Sequence, residues 1–183
     1  MHLDKPKEIT YSNTPEKPLS SNATVIGDKH RSSYSYLFTL LENLEDIEQG
    51  AKFHPEGNAL YHSLQVFDCA LIDSNNPTLW AAALLHDVGK GIDYPNHAHV
   101  GADELEGIIR PDICWLIRHH LDLLTHPKRT RSKYQNTDQL KRLESLRKWD
   151  LAGRKVDAAV MSIEQALAIL APHSDQILVW NTL

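Results

Sequence analysis

No stretch of this 183-residue chain approaches the roughly 18 apolar residues that a membrane-spanning helix needs, so no membrane partner is expected. The first residues lack the apolar core of a secretory signal, which points to a soluble, cytoplasmic protein. Cysteine is scarce. Cys69 and Cys114 stand alone in apolar surroundings and read as small buried hydrophobes. Positive charge is not in excess either: 19 Lys and Arg face 24 Asp and Glu, a net charge of −5. That argues against a binder relying on bulk positive charge, so no stable nucleic-acid complex is expected. A small nucleotide held by a local cluster stays open. Repeats and persuasive strand runs are missing as well, with only the last ten residues ambiguous.

Histidine is abundant by contrast. Eight of the 11 lie between His54 and His126. The most informative residues are His62, the doublet His86-Asp87 inside Leu84-Leu85-His86-Asp87-Val88-Gly89-Lys90, and Asp150. Two imidazoles and two carboxylates from three separate segments suit a hard-to-borderline divalent metal. Such a metal activates water, which points towards metal-dependent hydrolysis. The spacing is too wide for one ligand loop, so the fold must gather these side chains.

The length allows one domain with a sizeable core. Residues 1–30 are polar and carry Pro6, Pro15 and Pro18, and read as a flexible arm. Residues 31–183 read as one all-α domain. Ser32 or Ser33 is expected to cap a helix running through Leu37, Leu40, Leu41 and Leu44 to a stop at Gly50. A second helix is expected over 58–74. Asn76-Pro77 opens a third that ends in the doublet. A Gly- and Pro-containing loop follows from Gly89 to Pro95. Further helices are expected over 97–109, 111–123, 138–151 and 156–171, with 128–133 a basic loop that could line a pocket mouth.

Helical phase at 100° per residue sorts the polar side chains. Asp150 falls between Leu143 and Leu146 on the apolar face of its helix, where a carboxylate is costly unless paired or metal-bound. His120 shares the face of Ile113, Leu116 and Ile117, and His119 does not. His97 lies with Val100, Gly101 and Ile108, while His99 points the opposite way. Glu104 falls near that inward side and is expected to support a ligand from behind. The third helix is apolar all round and should be central. The His62 helix is apolar over so much of its circumference that periodicity leaves the direction of His62 undecided.

Three stretches carry a family resemblance: Lys52-Phe53-His54-Pro55-Glu56, Leu85-His86-Asp87-Val88-Gly89-Lys90-Gly91, and Asp150-Leu151-Ala152-Gly153-Arg154. With His62 they resemble the HD superfamily of metal-dependent phosphohydrolases over roughly residues 50–155. Within it they resemble the HD domain attached to bacterial tRNA CCA-adding enzymes. The nucleotidyltransferase part of those enzymes is not in this sequence, so CCA addition is not expected. The resemblance implies a helical bundle with His62, His86, Asp87 and Asp150 on one divalent ion. His97, four residues before Gly101, and His120 resemble the ligands that two-metal members add, with the doublet Asp bridging. The trinuclear HD-GYP group places a Glu where this chain has Asn58, and its Gly-Tyr-Pro signature is absent.

The expected reaction is hydrolysis of a phosphomonoester or cyclic phosphodiester of a small, nucleotide-like molecule. Asp87 would hold the metal and orient the attacking water. Lys90 would hold a phosphate oxygen as a mobile point charge, with Arg154 and His126 as further substrate-binding residues. The ion could be Mn, Ni, Co, Mg, Zn or Fe, in one or two copies. Two rivals share the pattern: a di-iron oxygenase of the same fold, and a non-catalytic signalling or scaffold module.

Overall fold

Side-chain caps fix where the helices that carry the candidate residues begin. The computed structural model describes residues 28–179. The arm expected over 1–30 lies outside them except for 28–30, which already belong to the first helix, α1 (Asp28–Glu42). Residues 180–183 also lie outside. Asn58 Oδ1 accepts from Tyr61 N at 2.8 Å and starts α2 (Ala59–Asp73). Asn76 Oδ1 accepts from Thr78 N at 3.0 Å, with Pro77 at the first helical position, and starts α3 (Pro77–Leu85). Both satisfy amide donors that a helix start leaves without partners. Two 3-10 turns follow, Val88–Gly91 and Tyr94–Asn96, leading into α4 (His97–Glu104). Next come α5 (Pro111–His119), α6 (Asp122–Thr125) and α7 (Pro127–Lys133). Thr137 caps α8 (Asp138–Ala152), and a Ser162–Gln165 capping box opens α9 (Ile163–Leu170). A 3-10 turn, Ala171–His173, precedes α10 (Ser174–Ile177).

The fold is all-α. Among the described residues the only β pairings are isolated bridges. As its composition demands, α3 is central, packing against α2, α5, α8, α9 and α10. Ala81, Ala82 and Ala83 are fully buried, and their small side chains let neighbouring helices close in. Phe67, Leu84 and Leu85 are also fully enclosed. Each such large side chain contributes roughly 1.5–3 kcal/mol by leaving water.

Glycines bring the site elements together. A Cβ on Gly89 would lie 2.1 Å from His97 O and 2.6 Å from Gly101 N. One on Gly101 would lie 2.9 Å from Gly89 N. The turn after the doublet therefore sits directly against the backbone of α4. A Cβ on Gly153 would lie 2.7 Å from Val66 Cγ2, so the end of α8 lies against α2.

Several expected boundaries shift. The helix α1 starts at Asp28, which leaves Ser32 and Ser33 inside it rather than capping it. It stops at Glu42 rather than Gly50, because Leu44 O turns out to accept from Leu60 N at 3.3 Å, at the start of α2. The helix expected over 97–109 ends at Glu104; Gly107 adopts φ +79 shortly after. The helix expected over 111–123 ends at His119. Residues 128–133 are not a loop but lie in α7, started by Pro127 and tied by Thr130 Oγ1 to Asp122 O at 3.1 Å. The last long helix begins at Ile163, not 156. Before it, Gln65 brackets the Lys155 backbone, donating to its carbonyl at 2.9 Å and accepting from its amide at 3.0 Å. Cys114 is buried and Cys69 half-buried, and both are free thiols.

Candidate metal centre

Five helices each deliver a polar side chain into the same buried space. His62 comes from α2, His86 and Asp87 from the end of α3, His97 from the first residue of α4, His120 from the cap of α5, and Asp150 from the last turn of α8. All six are buried. The side chain of His62, undecided by periodicity, is completely enclosed.

The four rings are oriented in the same way. His62 Nδ1 donates to Gly153 O at 3.0 Å, His86 Nδ1 to Ala83 O at 2.9 Å, His97 Nδ1 to Tyr94 O at 2.8 Å and His120 Nδ1 to Ile117 O at 2.7 Å. A carbonyl only accepts, so each Nδ1 carries a proton and each ring turns its Nε2 inward, a bare lone pair whenever the ring is neutral. These lone pairs meet the carboxylates. His86 Nε2 lies 3.3 Å from Asp87 Oδ2, and His62 Nε2 lies 4.0 Å from it. His97 Nε2 and His120 Nε2 lie 3.2 and 3.7 Å from Asp87 Oδ1. His62 Nε2 is 3.3 Å from Asp150 Oδ1 and makes no hydrogen bond. His97 Nε2 and His120 Nε2 stand 3.3 Å apart, two acceptors face to face. Acceptors crowded against anions in a dry interior repel one another unless a cation lies between them.

Two donor sets meet at Asp87. Ligand atoms of His62, His86 and Asp87 lie within 4.8 Å of one another, and so do those of Asp87, His97 and His120. Asp87 belongs to both, one oxygen facing each. His54, Glu56 and His62 form a third close group. Neutral imidazole and carboxylate suit divalent ions of the Mn-to-Zn series, so the residues present fit a metal.

Charges around the cluster hold the carboxylates ionised. Burial opposes ionisation of Asp87, but His86 and Lys90 keep its carboxyl well below the usual range. Burial likewise opposes Asp150, and His62 and Arg154 keep it low. Burial pulls His62 down, yet Asp150, Glu56 and Asp87 push it up to about 9. His120 moves the opposite way, to about 3, through burial and the nearby His86.

The candidate substrate-binding residues separate. Lys90 is buried, its Nζ 2.6 Å from Asp87 Oδ2 and 2.5 Å from Gln49 Oε1. Arg154 is spent on its surroundings. Its Nη2 meets Asp150 Oδ1 at 2.8 Å, its Nε donates to Asp150 O at 3.1 Å and its Nη1 to Phe53 O at 2.9 Å. His126 is exposed at the head of α7, bonded to Thr125, and is not brought into the cluster.

One expectation is overturned. Glu104 is exposed and bonded to Tyr36 on α1, away from the histidines. The carboxylate behind the ligands is Glu56, with Oε1 2.8 Å from His62 Nδ1. Arg147, 2.5 Å from Asp150 Oδ2, was also missed. Loop residues carry no helical phase, so periodicity offered no handle on Glu56 or Gln49. Arg147 could have been reached from its position three residues before Asp150.

Comparison with known proteins agrees with this geometry. The family model described as HD domain matches residues 59–165. The "Multifunctional CCA protein" of Cupriavidus pinatubonensis (strain JMP 134 / LMG 1197) is 33% identical over 81 residues, 43% of this chain and 19% of that protein. The protein of the same name from Hahella chejuensis (strain KCTC 2396) is 32% identical over 91 residues, 46% of this chain and 21% of its own. The chain thus spans about a fifth of the length of the curated relatives it matches. No described helix is long and apolar enough to cross a membrane. Because the family match covers more than half of the sequence and takes in every helix that lends a residue to the cluster, the chain belongs to the HD domain family.

Proposed function

We propose that this protein is a metal-dependent phosphohydrolase acting on a phosphomonoester or cyclic phosphodiester of a nucleotide-like small molecule. The observation that carries the reading is the convergence of four inward Nε2 lone pairs on the Asp87 and Asp150 carboxylates. His62, His86, Asp87 and Asp150 would hold one divalent ion, and Asp87, His97 and His120 a second. Such ions supply Lewis acidity towards a phosphoryl oxygen and lower the pKa of water towards about 7.

The chain's own residues do the rest. Asp87, fixed between the two histidine pairs, orients the attacking water. Lys90, beside Asp87, places an ammonium within reach of a phosphate oxygen. Arg147 and Arg154 hold Asp150 in place, and His126, exposed at the head of α7, is the proposed contact for a substrate tail.

The test strips the purified protein with chelator, reloads it with Mn, Ni, Co, Mg, Zn or Fe, and screens phosphorylated metabolites, including nucleoside monophosphates and 2′,3′-cyclic nucleotides. Metal-dependent phosphate release or ring opening is expected, lost in Asp87→Ala. Unchanged turnover in a folded Asp87→Ala protein rules out the site. Oxygen consumption by the iron form would instead identify a di-iron oxygenase. A protein that takes up no metal and gains no stability from it would be a scaffold.

A further inference from the structure

The loop between α1 and α2 places one carboxylate behind the cluster. Glu56 sits six residues before His62, on a loop turned back by Gly57, whose φ of +107 favours glycine. Its side chain is completely buried. Oε1 accepts from His54 Nδ1 at 2.9 Å and lies 2.8 Å from His62 Nδ1, whose proton is directed to Gly153 O, while Oε2 has no partner. A buried carboxylate with one bare oxygen is expensive to keep. The charge that would repay it lies on the far side of the His62 ring, where Nε2 has no hydrogen bond of its own.

We propose that Glu56 is a positioning residue that sets the metal affinity of His62, with His54 steadying Glu56 from the other side. This rests on the reading of His62 as a ligand. The carboxylate and Gly153 O together lock the tautomer and the ring angle, and the anion makes Nε2 a stronger donor. Glu56 stands on the Nδ1 side of the ring, behind the Nε2 that faces Asp87 and Asp150. Gln in its place keeps the shape and an acceptor oxygen but removes the charge.

The experiment measures Mn²⁺ and Co²⁺ affinity by chelator competition for the wild-type protein, Glu56→Gln and His62→Ala, alongside the visible spectrum of the Co²⁺ forms. Glu56→Gln is expected to bind about 10–100-fold more weakly, with shifted Co²⁺ bands. Wild-type affinity and an unchanged spectrum in Glu56→Gln would overturn this proposal and leave His62 as a ligand. Equal binding by wild type and His62→Ala would overturn the ligand reading itself, and this proposal with it. Should Glu56→Gln fail to fold, imidazole NMR of the wild type decides. A His62 Nδ1–H resonance that moves downfield when Zn²⁺ is added supports the role, and its absence overturns it.

Discussion

Lys90 Nζ lies 2.6 Å from Asp87 Oδ2, the same carboxylate oxygen that His86 and His62 face. In the metal-free protein, Lys90 is therefore the counter-ion of a fully enclosed carboxylate. Lys90→Met removes it while roughly keeping volume. Leaving a buried charge without its partner costs about 3–5 kcal/mol, so the chelator-treated variant should melt lower than the wild type. Adding Mn²⁺ should recover more of the melting temperature in Lys90→Met than in the wild type, since the ion takes over the neutralising role. Phosphate release should fall about 100-fold, the scale of losing one donor to the developing charge. Undiminished turnover would remove Lys90 from the chemistry.

The part of the site carried on helices was legible because the residues there obey one period. Asp150, His97 and His120 could be placed inward from neighbours three and four positions away, and the cap at Asn76 could be read from residue type. His62 could not, because α2 buries Ser63, Leu64, Gln65, Val66 and Phe67 around it and so has no single apolar stripe. Glu104 was misplaced because phase says nothing about where a helix stops. It is the last residue of α4, and its carboxylate meets a tyrosine on α1, a contact no local pattern encodes. The segment 128–133 passed for a loop because Thr130 is its only buried residue.

His62 links the cluster to pH. Burial lowers its affinity for a proton, but Asp150, Glu56 and Asp87 outweigh that and push it to about 9, above the ordinary 6.5. A folded-state pKa above the unfolded one means that protonated His62 stabilises the metal-free fold fully below about pH 6.5. The contribution fades as pH rises through about 9. A divalent ion needs the neutral ring, so binding near pH 7 should release about one proton. Titration calorimetry in two buffers of different ionisation enthalpy measures the release, which His62→Gln should abolish. Equal apparent enthalpies for the wild type in both buffers would refute it.

The two donor groups predict a stoichiometry. Asp87, His97 and His120 form a set of their own on the Oδ1 side. His120→Ala should bind one equivalent of Mn²⁺ where the wild type binds two, by elemental analysis after gel filtration. His62→Ala should affect the other ion. Two equivalents retained in His120→Ala would leave the second group without a metal.

Gly89 tests the same division through the backbone, without touching a ligand. Alanine there would set its Cβ 2.1 Å from His97 O and 2.6 Å from Gly101 N, both main-chain atoms that no rotamer change can move. The strain can be relieved only by pushing α4 away from the turn that follows the doublet. His97 rides on the first residue of α4, whereas His62 and Asp150 ride on α2 and α8. Gly89→Ala should therefore lose the ion held by His97 and His120 while keeping the one held by His62, His86 and Asp150. Overpacking of this kind destabilises by about 1–3 kcal/mol, which lowers the melting temperature by several degrees. A variant that folds, melts as the wild type does and retains both ions would show that the contact between Gly89 and α4 does not fix the second group.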